Sequence, residues 1–538
     1  MALPASQQSP APYTPRLAPR VAQAEALAAS HGKPAFALHM AMRVGKTKVI
    51  IDDFGMLEAA GQIDDLLVIA TGGSYETWEL EIQKQAAQSL LSRLEIFIWR
   101  SGKMKQLKKL KELMGFEIAQ PSRPRCLIIN VEALSTVKLA KAVCERFTKA
   151  RRCMVAVDES TSIRTHTSKR TRFIIEKIAP YAKLRRTLTG LPNPKSPLDL
   201  YSQFEFLDKR ILGFKTYAAF QERYADVERI CFVPKVLLRA KLKHVVGDVF
   251  YKNGFGRFVV DHMDQQELLR ELSERNIYVQ MIPRIKGFKN ELELRDKIAP
   301  YVYRKTLEDC YDLPPKTYIK RHVEMTGEQN RAYEEMQNFF TTQLNNQEYV
   351  TAANVITCML KLHQILCGHV KNETGVIQEI SSHRIVSLRE LLDEYDGKAV
   401  IWCSYDYDVT AISKYMTSEY GEETIARFWG GNRNTREEEE RRWKQNPQCR
   451  FMIATPAAGG KGREWSAADL VVYYSNTHDL EHRLQSEERT QGVGKQTSVA
   501  YVDLVVPGTV DEKILLALRN KLTLATVING DNYHEWLI

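Results

Sequence analysis

The chain has 538 residues, of which 44% are hydrophobic and 26% charged, a profile that excludes a disordered polypeptide and a single-core domain and predicts about two to four folded units. A formal net charge of +10 is compatible with a polyanionic partner but too modest over so large a surface to select one. The sequence has no run of about eighteen uncharged apolar residues and no charged-then-apolar leader, so neither a membrane span nor a signal peptide is expected and the cytoplasm is the default location; the nine scattered cysteines lack a C-x-x-C pair and read as reduced core residues.

Residues 1–19 are rich in Pro, Ala and Ser and read as a flexible N-terminal arm. From 20 to about 205, short apolar runs alternate with amphipathic helical stretches, the strand candidates being Ala35–His39, Leu66–Ala70, Glu95–Trp99, Cys126–Asn130, Met154–Asp158 and Arg186–Thr189. Continuous apolar strands separated by helices predict a parallel sheet covered on both faces. Residues 206–315 turn to helices and basic, aromatic segments, which suggests an insertion. Residues 316–395 are mostly helical, with apolar positions at three-to-four spacing in RAYEEMQNFFTTQL and ANVITCMLKLHQIL. Strand signals return at Lys398–Cys403, Arg450–Thr455, Leu470–Tyr474 and Ala500–Val505, so 316–538 reads as a second α/β unit with a helical insertion.

The stretch MAMRVGKT, Met40 to Thr47, ends as a phosphate-binding loop ends, although Met40 stands where such loops carry their outer glycine. Gly-Lys followed by a hydroxyl should occur by chance roughly 0.3 times in a chain of this length, so context decides. PAFALHM reads as a strand and KVIIDDFGML as the following helix, and strand, loop, helix aims backbone N–H groups and the positive helix end at phosphates. In that reading Gly45 keeps the turn, Lys46 binds the terminal phosphates of a nucleotide and Thr47 holds Mg²⁺.

CMVAVDEST places Asp158 and Glu159 just after an apolar strand, where the carboxyl end of a parallel strand opens into a crevice. Asp158 suits Mg²⁺ binding through water and Glu159 suits polarising a water nucleophile. An acidic turn after a strand is the plainer alternative for these two residues alone.

The ordered set MRVGKT, LLVIATGGSYETWELE, IINVEAL, VDESTSIR, RRTLTGLPNPKSPLDLYSQF, APYVYRKTLEDCYDLPPK, ATPAAGGKGREW and QSEERTQGVGKQ resembles the Swi/Snf-type ATPases of helicase superfamily two, and most of all the compact branch of phages and bacteria. The resemblance implies two RecA-like lobes with parallel sheets, ATP and Mg²⁺ between them, duplex DNA as partner, and a bacterial or phage-infected host cytoplasm. It implies that Gln23 recognises adenine, that Gly45, Lys46 and Thr47 take the phosphates and magnesium, and that Asp158 and Glu159 form the hydrolytic pair. Thr189 and Gly190 match the motif coupling nucleotide state to lobe movement and DNA; Trp78 and Glu81 match a segment that touches the tracking strand, with plain helix packing as the alternative. In the second lobe, Thr455, Gly460 and Gly462 match the glycine-bearing loop facing the cleft, while Gln485 and Arg489 match the last motif, whose arginines complete the ATP site.

That motif departs from the pattern, because its second arginine position holds Gly492. An arginine finger is worth roughly a thousand- to a hundred-thousand-fold in rate. Three explanations stand: slow or absent hydrolysis, substitution by Arg463 or Arg43, or an alteration of the sequence at this point. For the nucleic-acid partner, CFVPKVLLRAKLKHVVGDVFYKNGFGRFVV interleaves basic residues with Phe250, Tyr251, Phe255 and Phe258, which fits either phosphate contact with base stacking or an exposed β-ribbon. KMKQLKKLKELM, Lys103 to Met114, fits a solvated helix face. The expected function is an ATP-dependent translocase or remodelling motor on duplex DNA; an ATP-gated DNA-binding or scaffold protein with weak hydrolysis, and a helicase or strand-annealing enzyme, are the alternatives.

Overall fold

The computed structural model describes residues 13–72, 74–100, 123–232, 257–259, 280–339, 341–343, 349–351, 355–372, 374–459, 463–492 and 495–529. Six strands build the body of a first sheet: β1 (Ala35–Met40), β2 (Asp65–Ala70), β3 (Glu95–Ile98), β4 (Arg125–Asn130), β5 (Cys153–Asp158) and β6 (Leu184–Thr189). Next come β7 (Ala225–Phe232), β8 (Arg257–Val259) and β9 (Gln280–Phe288), which form a small antiparallel sheet. β10 (Val302–Lys305) returns to the edge of the first sheet, whose order is β10-β1-β6-β5-β2-β4-β3. All of its pairings are parallel.

A second sheet begins at β11 (Lys316–His322). Two hairpins follow, β12 (Thr341–Gln343) with β13 (Tyr349–Thr351) and β14 (His369–Lys371) with β15 (Ile377–Glu379). The sheet is completed by β16 (Ala399–Trp402), β17 (Ile425–Phe428), β18 (Phe451–Ala454), β19 (Leu470–Tyr473) and β20 (Val499–Val505) in the order β11-β20-β19-β16-β18-β17. It too is parallel throughout. The α/β class with two parallel sheets is the one the sequence predicts.

Side-chain alternation explains both sheets. Leu66, Val68 and Ala70 of β2 enter one core while Leu67 and Ile69 enter the core on the opposite face, so every residue of the strand is buried. In the second sheet Ile401 and Ile453 face one core, and Val400, Trp402 and Met452 the other. A strand covered on both faces has no polar side, which is why its sequence reads as an unbroken apolar run. Cys126, Cys144, Cys153, Cys358, Cys367, Cys403 and Cys449 are buried free thiols, and Cys310 is a half-buried one.

Two features differ from the sequence expectation. β10 lies inside the stretch read as insertion, yet its Lys305 pairs with Met40 at the edge of the first sheet; VYRK is half-exposed along its length and carries no apolar run. Part of the expected arm packs against the first lobe: the Tyr13 hydroxyl donates to Asp52 Oδ1 at 2.8 Å, and a Cβ on Gly55 would lie 2.1 Å from the Tyr13 ring. Gly55 therefore serves close approach inside a helix, where glycine costs about 1 kcal/mol relative to alanine. Lys103–Met114 and most of the basic aromatic stretch, 233–256, lie outside the described residues. Among the described residues no helix is long and apolar enough to cross a membrane.

Candidate functional site

The missing outer glycine has a local explanation. Met40 is the last residue of β1 and fully buried, so its backbone is extended and any residue fits there. The turn begins at Ala41 and is carried by two left-handed residues, Arg43 at φ 67° and Gly45 at φ 102°. Gly45 is required twice over, since a Cβ would also meet Gln23 Nε2 at 2.0 Å. Gln23, on the helix Val21–Ser30, donates from Nε2 to Val44 O at 3.1 Å and accepts the Arg20 N–H at 2.9 Å. The amide nitrogen of Gln23 thus braces the loop, while its oxygen caps the start of its own helix.

Lys46 opens the helix Lys46–Ala59, and its ammonium donates to the loop's own carbonyls, Met40 O at 2.8 Å and Ala41 O at 3.4 Å. A cation held by neutral carbonyls at a helix N-terminus exchanges them readily for phosphate oxygens, which form stronger charge-assisted bonds. Thr47 is half-buried beside it.

Parallel topology brings the acidic pair to this loop. β6 lies between β1 and β5, with His39 abreast of Thr189 and Leu188 abreast of Asp158, so the carboxyl ends of three strands share one rim. Asp158 Oδ1 accepts the Glu159 N–H at 3.0 Å and Oδ2 accepts the Trp78 indole N–H at 3.0 Å. Glu159 adopts φ 49° as it leaves the strand. Trp78 is 2% exposed, so the structure places it in the core behind Asp158 and not on an outward surface. A Cβ on Gly190 would meet Ala41 Cα and Met40 O at 3.5 Å, which brings the TG turn against the phosphate loop. Thr189 Oγ1 accepts the Leu191 N–H at 3.2 Å.

The second lobe contributes the helix Leu480–Thr490. It is anchored by the fully buried Arg483, which donates to Asp503 Oδ2 at 3.1 Å and Glu487 Oε1 at 2.8 Å and stacks 3.4 Å from the Tyr473 ring centre. Arg489, near its end, donates from Nη1 to Arg463 O at 3.0 Å, while its buried Nη2 has no hydrogen-bond partner among the described residues. Burial lowers its guanidinium to about 10, and an unpartnered buried donor of this kind is costly unless an anion completes it.

One cavity of about 780 Å³ is lined by Gln23, Gly45, Lys46, Thr47, Trp78, Asp158, Glu159 and Arg489, a size suited to a nucleotide. Gln485 instead lines a neighbouring cavity of about 170 Å³ with Thr189, Gly190 and Glu159. Thr455 follows β18 and lines neither cavity. Gly460 and Gly462 lie outside the described residues.

The replacement arginines are both occupied. Arg463 donates to Glu437 and Glu440 at 2.8 Å each, and Arg43 donates to carbonyls of the second lobe. Gly492 packs against its own lobe, where a Cβ would lie 2.5 Å from Ser466 Cβ. Sequence reasoning missed Glu488, which lines the cavity beside Arg489 and whose carboxyl is raised by burial; it lies inside the quoted last motif but carries no spacing signal of its own. Among the described residues no three or more His, Cys, Asp or Glu side chains form a metal cage. A divalent ion at Thr47 and Asp158 would complete its shell with water and phosphate oxygens, as Mg²⁺ commonly does beside a nucleotide.

A family model for the SNF2-related domain matches residues 37–371. Among curated relatives, the putative ATP-dependent helicase/translocase YwqA of Bacillus subtilis is 24% identical over 271 residues, which cover 48% of this chain and 29% of that protein. The TATA-binding protein-associated factor MOT1 of Saccharomyces cerevisiae is 21% identical over 427 residues, 70% of this chain and 20% of the relative. The CHD3-type chromatin-remodeling factor PICKLE of Arabidopsis thaliana is 20% identical over 499 residues, 86% and 30% respectively. The chain thus spans under a third of the length of these relatives. Among solved structures, the Sulfolobus solfataricus SWI2/SNF2 ATPase core in complex with dsDNA is similar at 20% identity and a TM-score of 0.38, with 97% of this chain and 96% of that one covered.

Proposed function

From the premise that this chain belongs to the SNF2-related family, we propose that it is an ATP-dependent translocase or remodelling motor acting on duplex DNA. The observation that carries this reading is the single cleft into which one lobe presents Lys46, Asp158 and Glu159 and the other presents Arg489. Lys46 and the loop N–H groups bind the β- and γ-phosphates of ATP. Thr47 and Asp158 hold Mg²⁺, which supplies neutralisation of phosphate charge when bound. Glu159 orients a water molecule toward the γ-phosphorus and accepts its proton as the P–O bond to ADP breaks. Arg489 stabilises the charge spreading over the transferred oxygens. Gln23 holds the loop and borders the adenine side of the cleft, Gly460, Gly462 and Gln485 serve nucleotide binding from the second lobe, and Thr189, Gly190 and Thr455 couple closure to DNA. The lobes, 20–205 and 316–538 with the segment 206–315 between them, step along the duplex by closing and opening on the nucleotide. DNA as partner is supported by the similarity to a putative helicase/translocase and to a chromatin-remodeling factor, and the net charge of +10 is compatible with it.

A second reading, nucleotide-gated DNA binding with slow turnover, is favoured by one observation: of Arg43, Arg463 and Arg489, only Arg489 has a buried donor without a partner among the described residues, so a single guanidinium is left to face the cleft. The experiment that separates them is phosphate release with and without duplex DNA. The motor reading expects DNA-stimulated release that disappears in Lys46→Ala, through lost nucleotide binding, and falls by roughly a hundred- to ten-thousandfold in Glu159→Gln with nucleotide still bound. DNA affinity that responds to ATP without any phosphate release supports the gated binder instead.

A further inference from the structure

The helix Leu480–Thr490 is gripped by the first lobe at both ends. At its first turn, Glu481 accepts hydrogen bonds from Thr161 Oγ1 and Arg164 Nη1, each at 3.0 Å. Thr161 and Arg164 stand in the turn just after Asp158 and Glu159. Beyond the other end, Arg43 donates from Nη1 to Gln491 O at 2.6 Å, and from Nη2 to Arg489 O at 3.2 Å and Arg463 O at 3.3 Å. The last carbonyls of a helix lack intrahelical donors and carry the negative end of its dipole, so a guanidinium fork placed there satisfies both demands. Each of the two loops that carry the proposed catalytic groups therefore also holds one end of the helix that carries Arg489.

The backbone of Arg43 makes this contact informative. Its φ of 67° is a left-handed conformation where glycine is at ease and a side chain is strained. Among the described residues, the three hydrogen bonds that its guanidinium makes all cross to the other lobe. Arg463 O accepts from both Arg43 and Arg489, so Arg43 fixes the carbonyl that in turn orients Arg489.

We propose that Arg43 is an inter-lobe positioning residue, a strap from the phosphate loop to the end of the helix Leu480–Thr490 that, opposite the Glu481 contact, sets Arg489 over the cleft and offsets the absence of a second arginine at position 492. Arg43 does not itself touch the transferred phosphate; it acts by holding Arg489. This inference rests on the cleft being the ATP site, but its primary test does not.

The test compares the full chain with Arg43→Gly, Arg43→Lys and Glu481→Gln. Small-angle X-ray scattering of the nucleotide-free proteins reads lobe separation, fluorescent ADP titration reads phosphate binding, and phosphate release reads turnover. Arg43→Gly removes the fork while leaving a residue that tolerates the loop's backbone, so the variant folds. Expected are a larger radius of gyration for Arg43→Gly and Glu481→Gln, unchanged ADP affinity, and kcat lower by up to about a hundredfold. Arg43→Lys, a point donor in place of a fork, falls between them and the parent. Unchanged scattering in Arg43→Gly overturns the strap. So does a loss of ADP affinity without expansion, which would make Arg43 a phosphate ligand. A parent chain that releases no phosphate defeats the motor reading and leaves the scattering result to decide the strap.

Discussion

The indole N–H of Trp78 donates to Asp158 Oδ2 at 3.0 Å, tying the helix after β2 to the carboxylate at the end of β5. Such a partner fixes which way a carboxylate faces, while its other oxygen accepts the Glu159 N–H. Loss of a supporting hydrogen bond of this kind typically weakens metal affinity by roughly ten- to a hundredfold. Trp78→Phe keeps most of the buried ring and removes the donor, so the expected outcome is a matching rise in the Mg²⁺ concentration needed for half-maximal ATP hydrolysis. An unchanged Mg²⁺ titration would reduce Trp78 to packing.

Arg489 is expected to dominate turnover. Arg489→Ala should lower kcat by roughly a thousand- to a hundred-thousandfold with little change in ATP affinity, since the interaction is made with charge that develops in the transition state. Gly492→Arg, which restores the missing family residue, should not raise kcat. A Cβ there meets Ser466 Cβ at 2.5 Å and Glu464 Oε1 at 3.3 Å, so the new side chain must displace its own lobe before it can reach across. The expected cost is about 1–3 kcal/mol of stability, readable by urea unfolding. Faster hydrolysis in Gly492→Arg would show that the segment rearranges at no such cost.

Asp408 supplies a pH dependence remote from the cleft. Its Oδ2 accepts the Ser475 hydroxyl at 2.6 Å, and burial raises its carboxyl to about 7. Between the ordinary carboxyl range near 4 and about 7, the folded protein keeps a proton that the unfolded chain releases. The stability from this group is therefore complete below about pH 4 and lost as pH climbs to 7. His369, 3.3 Å away, is lowered to about 3 by burial, so its contribution runs the other way: complete above about 6.5 and lost on acidification. Asp408→Asn removes only the first. The stability gap between parent and variant should shrink by on the order of 2–4 kcal/mol between about pH 4 and about pH 8. Denaturant curves at both ends check it, and a constant gap would refute it.

Tyr13 tests the docking of the N-terminal residues. Tyr13→Phe removes a hydrogen bond to Asp52, which also holds Lys48 at 2.7 Å, and should cost about 0.5–1.5 kcal/mol. Tyr13→Ala also empties the space over Gly55 and should cost about 3–5 kcal/mol if the cavity persists. Equal values for both would mean that the ring contributes nothing.

Much of the architecture is readable from local pattern. Strands β1, β2, β4 and β5 announce themselves as apolar runs because a doubly covered parallel strand has no polar face. Edge strands are different: β10 and β11 are half solvated and alternate weakly, and β17 is only four residues long, so the sequence pattern merges them into neighbouring segments. Gly45 and Lys46 were legible because their chemistry is written in adjacent residues. Trp78 was not, since its choice between outward contact and core packing depends on where the end of β5 lies.

The amino-acid order alone determined the α/β class and the family resemblance, and singled out Gly45, Lys46 and Thr47 and the pair Asp158 and Glu159 as candidates, because periodicity and short-range motifs report forces acting within a few residues. Only the tertiary structure decided that Met40 needs no glycine, that Gln23 braces the loop, that Arg463 is committed to Glu437 and Glu440, and that Arg43 reaches Gln491. Each of those is a contact across tens to hundreds of positions, set by the parallel order of the strands and by how two lobes meet. A guanidinium has the same five donors wherever it stands in the chain; which acceptors lie within 3 Å of it is a property of the fold.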